Sequence, residues 1–316
     1  MIGRRLPLGI DLGASRIRIA SLVADRHTVR VRAIGTADME GDVRAALADA
    51  LQQIDGPETR AVAMIRACDA PLKVAVLPHL RRVELEKAIR FEGAAAFGDL
   101  EEPLVVRSRT LAEDGGRAKL LLAAAPRQKV RETIGVLRSV GLHPVRIEHE
   151  ACVLARSVQV PLLDVGFRRS TLIFRKDCSP IARSIPQGGA FFTESIAQAI
   201  GTTFEAAELR KRTLGVTGAE RKLLASFAMS VSEELALVRA REGVQVESLR
   251  LSGNGARLGA LCDTLREQLQ IPVEHVSLEQ RIAYEVPADV ARFTVLDWFG
   301  AMMAALPLGA ASGQST

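Results

Sequence analysis

The sequence is poor in aromatic residues, since Phe, Trp and Tyr make up 4% of its 316 residues. Proteins that bind single-stranded nucleic acid stack bases on aromatic side chains. The net charge of +5 comes from arginines spread along the chain rather than gathered in a basic tail, a pattern typical of solvated surface. The composition therefore argues against nucleic-acid binding, and we expect only a weak attraction to anionic membrane surfaces.

Cysteine is also scarce. The four cysteines are far apart, without a C-x-x-C pair and without a histidine at metal-ligand spacing: Cys68, Cys152, Cys178 and Cys262. Such a set predicts small buried residues in a reducing compartment rather than disulfides or a zinc site.

Long apolar runs are missing. The longest apolar stretch, Trp298 to Leu308, is too short to span a bilayer and contains Pro307. The N-terminus leads straight into the first predicted strand at Leu6, which leaves no room for a signal peptide. We therefore expect a cytoplasmic protein.

One short pattern occurs twice in the chain. An apolar strand is followed by Asp-x-Gly, a polar bend and a second apolar strand, first at Asp11 and Gly13 and again at Asp164 and Gly166. Glycine at such a bend lets several backbone N–H groups converge on an anion, and the aspartate can hold Mg²⁺ or its water shell. Either bend alone is also typical of an ordinary hairpin. Together the two bends predict two related lobes around one phosphate-bearing ligand.

A third segment predicts a strand that enters a glycine-rich turn at Gly253, Asn254 and Gly255, which opens a helix running to about Leu269. Glycines there permit close backbone approach to a flat ring or a phosphate, and the helix N-terminus adds a favourable dipole. The same pattern is common in structural βα turns.

In this order and spacing, the three segments resemble the two phosphate loops and the adenosine loop of the actin-like ATPase superfamily. Residues 77–92 and 184–211 narrow the resemblance to the PilM family of type IV pilus assembly, and the resemblance covers nearly the whole chain. It implies an α/β protein with the actin-like ATPase (ASKHA) fold. That fold is a duplicated ribonuclease-H-like unit that forms two lobes, here with an inserted α+β subdomain.

The resemblance also implies domain boundaries. Lobe I (subdomain IA) is expected to comprise residues 1–37 and 144–159 plus about 282–316. Lobe II is expected at 160–281, with a helical part (IIB) at about 204–245. Residues 38–143 are expected to form the inserted α+β subdomain (IC).

ATP is the implied ligand, with its phosphates held between the two bends. The implied nucleotide contacts lie in both bends, in two glycines beneath the phosphates, in a Glu-Lys pair at the ribose and adenine edge, and in the glycine-rich turn: Gly13, Ala14, Ser15, Arg16, Gly166, Phe167, Arg168, Arg169, Gly188, Gly189, Glu208, Lys211, Gly253, Asn254 and Gly255. The spacing of Glu208 and Lys211 puts both on one helix face, and an exposed ion pair is the alternative interpretation.

Three carboxylates carry the implied chemistry. Asp11 and Asp164 would organise Mg²⁺, and Glu150 would orient a water on the γ-phosphate, because catalysis of phosphoryl transfer is mostly positioning and charge stabilisation. One departure from the family is that Phe167, Arg168 and Arg169 replace small residues. They could crowd the γ-phosphate or add positive charge to it, so we expect tight binding without efficient turnover.

The resemblance implies an adaptor that binds the cytoplasmic tail of an inner-membrane pilus assembly protein (PilN-like) and reaches the membrane through that partner. The tail groove is expected between the insert and lobe I, where Leu85, Ala88 and Ile89 form an apolar stripe that could complete the insert's own core or line the groove. The alternatives are a true ATPase or phosphotransferase, an FtsA-like filament former that self-associates, and the cytoplasmic part of a type II secretion protein.

Overall fold

The computed structural model describes residues 3–25, 28–39, 41–97, 103–156, 159–277 and 293–307. Its strands form three sheets. The first sheet contains β1 (Arg4–Arg5), β2 (Leu8–Leu12), β3 (Arg16–Ala24), β4 (Val29–Asp38), β5 (Arg60–Ile65) and β9 (His143–His149). The second contains β10 (Leu162–Val165), β11 (Ser170–Lys176), β12 (Ser179–Ile185), β13 (Leu249–Ser252) and β14 (Val273–His275). The small third sheet contains β6 (Leu72–Pro78), β7 (Leu104–Asp114) and β8 (Arg117–Pro126).

The first two sheets share one topology. In each, three antiparallel strands are followed by two parallel strands, in the orders β4-β3-β2-β5-β9 and β12-β11-β10-β13-β14. The strands that carry the Asp-x-Gly pattern, β2 and β10, are central and buried, which agrees with their apolar sequences. The repeated pattern in the sequence is therefore a repeat of the fold.

The helices cover the faces of these sheets. They are α1 (Val43–Gln52), α2 (Arg82–Phe97), α3 (Arg127–Ser139), α4 (Glu150–Ala155), α5 (Gly189–Ile200), α6 (Phe204–Leu214), α7 (Arg221–Glu242), α8 (Leu261–Leu269) and α9 (Phe293–Ala305). Among the described helices, none combines the length and apolarity needed to cross a bilayer.

Helix α9 packs unusually close to the first sheet. A Cβ atom on Gly9 of β2 would lie 1.8 Å from the carbonyl oxygen of Ala301, so only glycine permits this approach. On the same helix, Phe299, Ala301 and Met302 are almost fully buried. The helix therefore rests on the strand that leads to Asp11.

The boundaries expected for the insert need correction, because residues 38–143 are not one unit. Within this range, β5 pairs in parallel with β2 and β9 of the first sheet, and α1 contributes Leu47 to the same core. The part outside the first sheet is the three-stranded sheet with α2, which we call the small subdomain. Of the expected C-terminal part of lobe I, only residues 293–307 are described; residues 282–292 and 308–316 lie outside the described residues, as do residues 278–281 at the expected end of lobe II.

Three further expectations differ from the structure. Strand β7 was not predicted; it pairs with β8 along its length. The glycine-rich turn opens only a short 3₁₀ segment at Asn254–Arg257, and α8 begins later, because Ala260 adopts a positive φ of 63° that interrupts the helix. Cys68 and Cys178 are exposed rather than buried.

We expect Gly9→Ala to destabilise the protein by about 3 kcal/mol or more, because the methyl group collides with the α9 backbone rather than with a flexible side chain. Urea unfolding measures the change. The matched control is Gly135→Ala in α3, where an added Cβ meets nothing within 4 Å. We expect it to stabilise by about 0.5–1 kcal/mol. Equal effects of the two substitutions would contradict the close contact.

Candidate functional site

A cleft of about 820 Å³ lies between the two lobes. Both Asp-x-Gly bends, the start of α4, the α6 helix and the glycine-rich turn line it. All the predicted site residues except Gly188 line this cleft. The fold thus brings together segments that are far apart in sequence.

The second bend is held by backbone hydrogen bonds. The Gly166 N–H donates to the Arg169 carbonyl (3.1 Å), while the carbonyls of Gly166 and Phe167 accept from Gly189 (2.9 Å) and Ala190 (2.7 Å) at the start of α5. These carbonyls therefore point toward α5. In the described part of the chain, the backbone N–H groups of Phe167 and Arg168 donate to no other group. Free amides at a bend are the donors that an anion requires.

Gly188, predicted to contact the nucleotide, does not line the cleft. A Cβ atom at this position would lie 2.6 Å from the carbonyl oxygens of both Gly166 and Phe167. Gly188 therefore lies behind the second bend and permits its close contact with α5, whereas the neighbouring Gly189 reaches the cleft.

Three carboxyl groups come together at the cleft floor. Asp11 lies at the end of β2, Asp164 on β10, and Glu150 is the first residue of α4. Burial, followed by the charges of Asp164 and Asp11, raises the pKa of Glu150 to about 8. Burial is also the main cause that raises the pKa of Asp11 and of Asp164. In the ligand-free protein the three groups therefore hold protons more strongly than ordinary carboxyls do.

Each carboxyl has a distinct partner. Asp11 lies 3.7 Å from the guanidinium of Arg18 and keeps 26% of its side-chain surface exposed. Asp164 accepts a hydrogen bond of 2.6 Å from the Ser252 hydroxyl. Glu150 accepts one of 2.9 Å from the Ala67 amide. These contacts fix the directions of the carboxyls without neutralising all of their charge.

The donor set fits Mg²⁺ bound together with a phosphate ligand. Among the described residues, no group of three or more His, Cys, Asp and Glu side chains is arranged to hold a metal ion by itself. Mg²⁺ usually keeps several waters and uses one or two carboxylates plus substrate phosphates. Asp11 and Asp164, one from each lobe, can supply that pair.

His149 positions Glu150. Its Nδ1 accepts a hydrogen bond of 3.1 Å from the Ala151 amide and caps α4, while its Nε2 donates to the Ala70 carbonyl. This arrangement requires a neutral ring, and burial lowers the pKa of His149 to about 4. His149 is therefore a packed structural residue that fixes the start of α4.

Glu208 and Lys211 form a buried pair, so the alternative of an exposed ion pair is wrong. The Lys211 ammonium donates to the Gly189 carbonyl (2.8 Å) and the Thr193 hydroxyl (2.6 Å), and lies 2.6 Å from Glu208. Its three protons are thus used within the protein. Lys211 links α6 to α5 beside the cleft.

The glycine-rich turn packs tightly on the second lobe. With φ of 84°, Gly253 would bring a Cβ atom within 2.6 Å of the Val165 carbonyl oxygen, so the turn requires glycine. The Gly253 N–H donates to the Leu296 carbonyl of α9 (3.0 Å). Asn254 and Gly255 follow along the cleft wall.

The sequence did not identify several charged residues of the cleft. Arg18 is buried and reaches Asp11, Arg66 pairs with Asp69 (3.1 Å), and Arg257 pairs with Asp297 (2.9 Å). The alternation of β3 placed Arg16 and Arg18 on one face, which is the signal that could have identified Arg18. No local sequence pattern marks Arg66 or Arg257 as a residue of the cleft.

Two lobes of one topology, each presenting an Asp-x-Gly bend to a shared cleft, define a protein with the actin-like ATPase fold, as predicted. The chain belongs to the family described as Type IV pilus assembly protein PilM, whose family model matches residues 9–306. The resemblance seen in the sequence is confirmed by this match.

Several solved structures are similar to this chain. The PilM-PilN type IV pilus biogenesis complex has a TM-score of 0.81 and 21% identity, with 95% of this chain and 97% of that chain covered. Ethanolamine utilization protein EutJ from Carboxydothermus hydrogenoformans has a TM-score of 0.58 and 14% identity, with 96% and 91% covered. No curated protein matches the sequence. At these identities the structures establish the fold alone.

We expect the stability of the protein to fall as pH rises from 6.5 to 8. The folded protein keeps a proton on Glu150 that the unfolded chain, with an ordinary Glu pKa of 4.5, has lost, so unfolding releases that proton. The expected loss in free energy of unfolding is about 1–2 kcal/mol across this range, and Glu150→Gln should remove most of it. Urea unfolding at four pH values measures the slope.

The chosen range avoids an opposing effect of His149, whose lowered pKa makes stability rise with pH between about 4 and 6.5. Glu194→Gln, on the exposed side of α5, is the matched control and should keep the parent slope. A Glu150→Gln variant with the parent slope would contradict the raised pKa.

Proposed function

We propose that this protein is a nucleotide-binding adaptor of type IV pilus assembly. It binds ATP with Mg²⁺ between its two lobes and binds the cytoplasmic tail of an inner-membrane pilus protein of the PilN type. The observation that carries the proposal is the cleft, in which both bends and three acidic groups converge, within a chain of the PilM family. The similarity to a PilM-PilN complex supports the choice of partner.

ATP would lie with its phosphates between the two bends. Amides of the second bend would donate to phosphate oxygens, and the glycine-rich turn offers a flat backbone surface for the purine. All three ammonium protons of Lys211 are directed at groups of the protein, so Lys211 would support nucleotide binding indirectly. Its hydrogen bond to the Gly189 carbonyl would hold the start of α5 in position beside the phosphates. Glu208 stays ionised beside it, since its hydrogen bonds to Lys211 and Thr193 outweigh burial and lower its pKa.

Asp11 and Asp164 would hold Mg²⁺ through its waters. When bound, the ion would neutralise phosphate charge and stabilise the ionised carboxylates. Glu150 would then hold a water near the terminal phosphate. In the ligand-free protein Glu150 is mostly protonated at neutral pH, and a protonated carboxyl is a poor acceptor for a proton from water. We therefore expect slow hydrolysis.

The partner's tail would bind beside the small subdomain. The predicted stripe of Leu85, Ala88 and Ile89 packs on the subdomain's own core, so other residues must form the groove. Strand β6 lies at the edge of its sheet and exposes 38% of Val74 and 58% of Val76. An extended peptide can pair with such an edge and place side chains on its apolar residues.

The sheet register supports one location for the groove. Val74 pairs with Leu121, which in turn pairs with Arg109 of β7, so these residues share one face. Arg109 lies near α4, because its charge lowers the pKa of Cys152 there, although burial raises that pKa to about 11. We therefore assign the tail to the groove between the small subdomain and α4.

We expect Mg-ATP, at a hundredfold excess over its Kd, to raise the melting temperature by about 5 °C through linkage to the folded state. Asp11→Asn and Asp164→Asn together should remove most of this rise, because the ion loses both carboxylates. The same substitutions should raise the stability of the ligand-free protein, because they remove charges that repel one another at the cleft floor. Differential scanning fluorimetry measures both effects.

Asp263→Asn on the exposed side of α8 is the matched control and should keep the full ATP shift. An unchanged ATP shift in the Asp11, Asp164 double variant would refute the assignment of the two aspartates. Steady-state turnover distinguishes the adaptor from a true ATPase or phosphotransferase, since ordinary enzymes turn over at roughly 1–1000 per second. Electron microscopy with ATP tests the filament alternative.

We expect Val76→Asp to weaken binding of the partner's tail peptide at least tenfold, because a charge replaces an apolar anchor worth about 1.5 kcal/mol or more. Fluorescence polarisation with a labelled tail peptide measures the affinity. The ATP-induced rise in melting temperature should persist, since β6 does not line the cleft.

Leu237→Asp provides the control, because Leu237 is exposed on α7 in the other lobe. If Val76→Asp binds the peptide normally while Leu237→Asp does not, the groove lies on the second lobe instead.

A further inference from the structure

The cleft contains two arginines that lack acidic partners. Among the described residues, seven arginines line it, and five of them pair with carboxylates: Arg16 with Asp38 (2.6 Å), Arg18 with Asp11 (3.7 Å), Arg66 with Asp69 (3.1 Å), Arg212 with Glu208 (2.8 Å) and Arg257 with Asp297 (2.9 Å). The side chains of Arg168 and Arg169, which are exposed on the second bend, form no hydrogen bond or ion pair with other described residues.

The duplicated fold makes this difference informative. Arg16 and Arg169 each stand three positions after the glycine of their bend. Arg16 lies opposite Asp38 of β4 in the strand register. The second lobe offers no such acid at the end of β12, where the apolar Ile185 pairs with Ser170, the residue after Arg169. The first bend is therefore neutralised within the protein, and the second bend leaves its two positive charges for a ligand.

The backbone from which these two arginine side chains extend is held in place by its contacts with α5 and α6. The ring of Phe167 packs edge-on against Phe204 of α6, with ring centroids 6.1 Å apart, and the adjoining carbonyl is bonded to α5. Phe167 is thus held against the second lobe. The side chains that follow it extend from an ordered bend whose free amides already favour an anion.

We propose that Arg168 and Arg169 make the cleft discriminate ligands by the number of phosphate groups, so that it selects a nucleoside triphosphate over the diphosphate. This inference rests on the proposed nucleotide-binding function. Three carboxyls at the cleft floor oppose an anion, and the other arginines are already paired. The gain in affinity from each added phosphate therefore comes mainly from these two residues, through charge-assisted and bidentate hydrogen bonds.

Isothermal titration calorimetry with AMP, ADP, ATP and inorganic tripolyphosphate, all with Mg²⁺ at one ionic strength, tests this inference. We expect the parent to bind ATP about tenfold or more tightly than ADP. In the Arg168→Ser, Arg169→Ser double variant we expect that ratio to fall to about twofold, with AMP affinity unchanged and tripolyphosphate binding weakened at least tenfold. The Arg168→Lys, Arg169→Lys double variant should recover part of the ratio, because it restores charge without bidentate geometry.

The matched control is Arg175→Ser, which removes an exposed arginine outside the cleft from β11, the strand that follows the second bend. It should leave every affinity at the parent value. Added salt should weaken ATP binding more in the parent than in the double Ser variant, because screening acts on the extra charges.

The outcomes separate the two proposals. A double Ser variant that binds nucleotides with the parent ATP-to-ADP ratio overturns this inference, as does a parent that binds ATP and ADP equally. In both cases the nucleotide-binding function stands. A parent that binds none of the nucleotides overturns the proposed function and this inference with it.

Discussion

The close contact between α9 and the central strands is the constraint on which the arrangement of the two lobes depends. The helix rests on β2 through Gly9 and contacts β13 and the glycine-rich turn of the second lobe, where its Leu296 carbonyl accepts the Gly253 N–H. Asp11 is the next-to-last residue of β2, and the Ser252 hydroxyl of β13 donates a hydrogen bond to Asp164. The same helix therefore sets the separation of the two aspartates, and a shift of α9 would move one against the other.

The cleft carries side chains of both signs, with acidic groups at its floor and unpaired arginines on the second bend. Its floor concentrates carboxyls whose pKa values are raised mainly by burial, with repulsion from acidic neighbours adding at Asp164 and Glu150. Arg168 and Arg169 of the second bend carry unpaired positive charge. A cation alone would reduce the repulsion among the carboxyls at the floor but leave the two arginines without a partner. An anion alone would pair with the arginines but leave the repulsion among the carboxyls. A metal-bound polyphosphate, the ligand we propose, would satisfy both sets, and each of its components should then strengthen binding of the other.

The parts of the fold that follow from local pattern could be predicted from the sequence. Both hairpins combine apolar strands with Asp-x-Gly bends, which carry their own signal. Strand β7 could not be predicted, since Arg107 and Arg109 give it a polar appearance and its pairing with β8 alone orders it. The burial of Lys211 also could not be predicted from the sequence, because its hydrogen-bond acceptors, the Gly189 carbonyl and the Thr193 hydroxyl, belong to another helix. Contacts between residues far apart in the chain cannot be predicted from the spacing of residues in the sequence.

The small subdomain is joined to the second lobe by an ion pair between Lys119 of β8 and Asp177 at the β11–β12 turn, 3.0 Å apart. Asp177 keeps 71% of its side-chain surface in solvent and Lys119 keeps 32%. Exposed pairs of this kind contribute about 1 kcal/mol or less, which is comparable with thermal energy. The ion pair therefore does not hold the subdomain rigidly against the lobe, and physiological salt weakens the pair further. This ion pair by itself therefore opposes small shifts of the subdomain relative to the lobe only weakly.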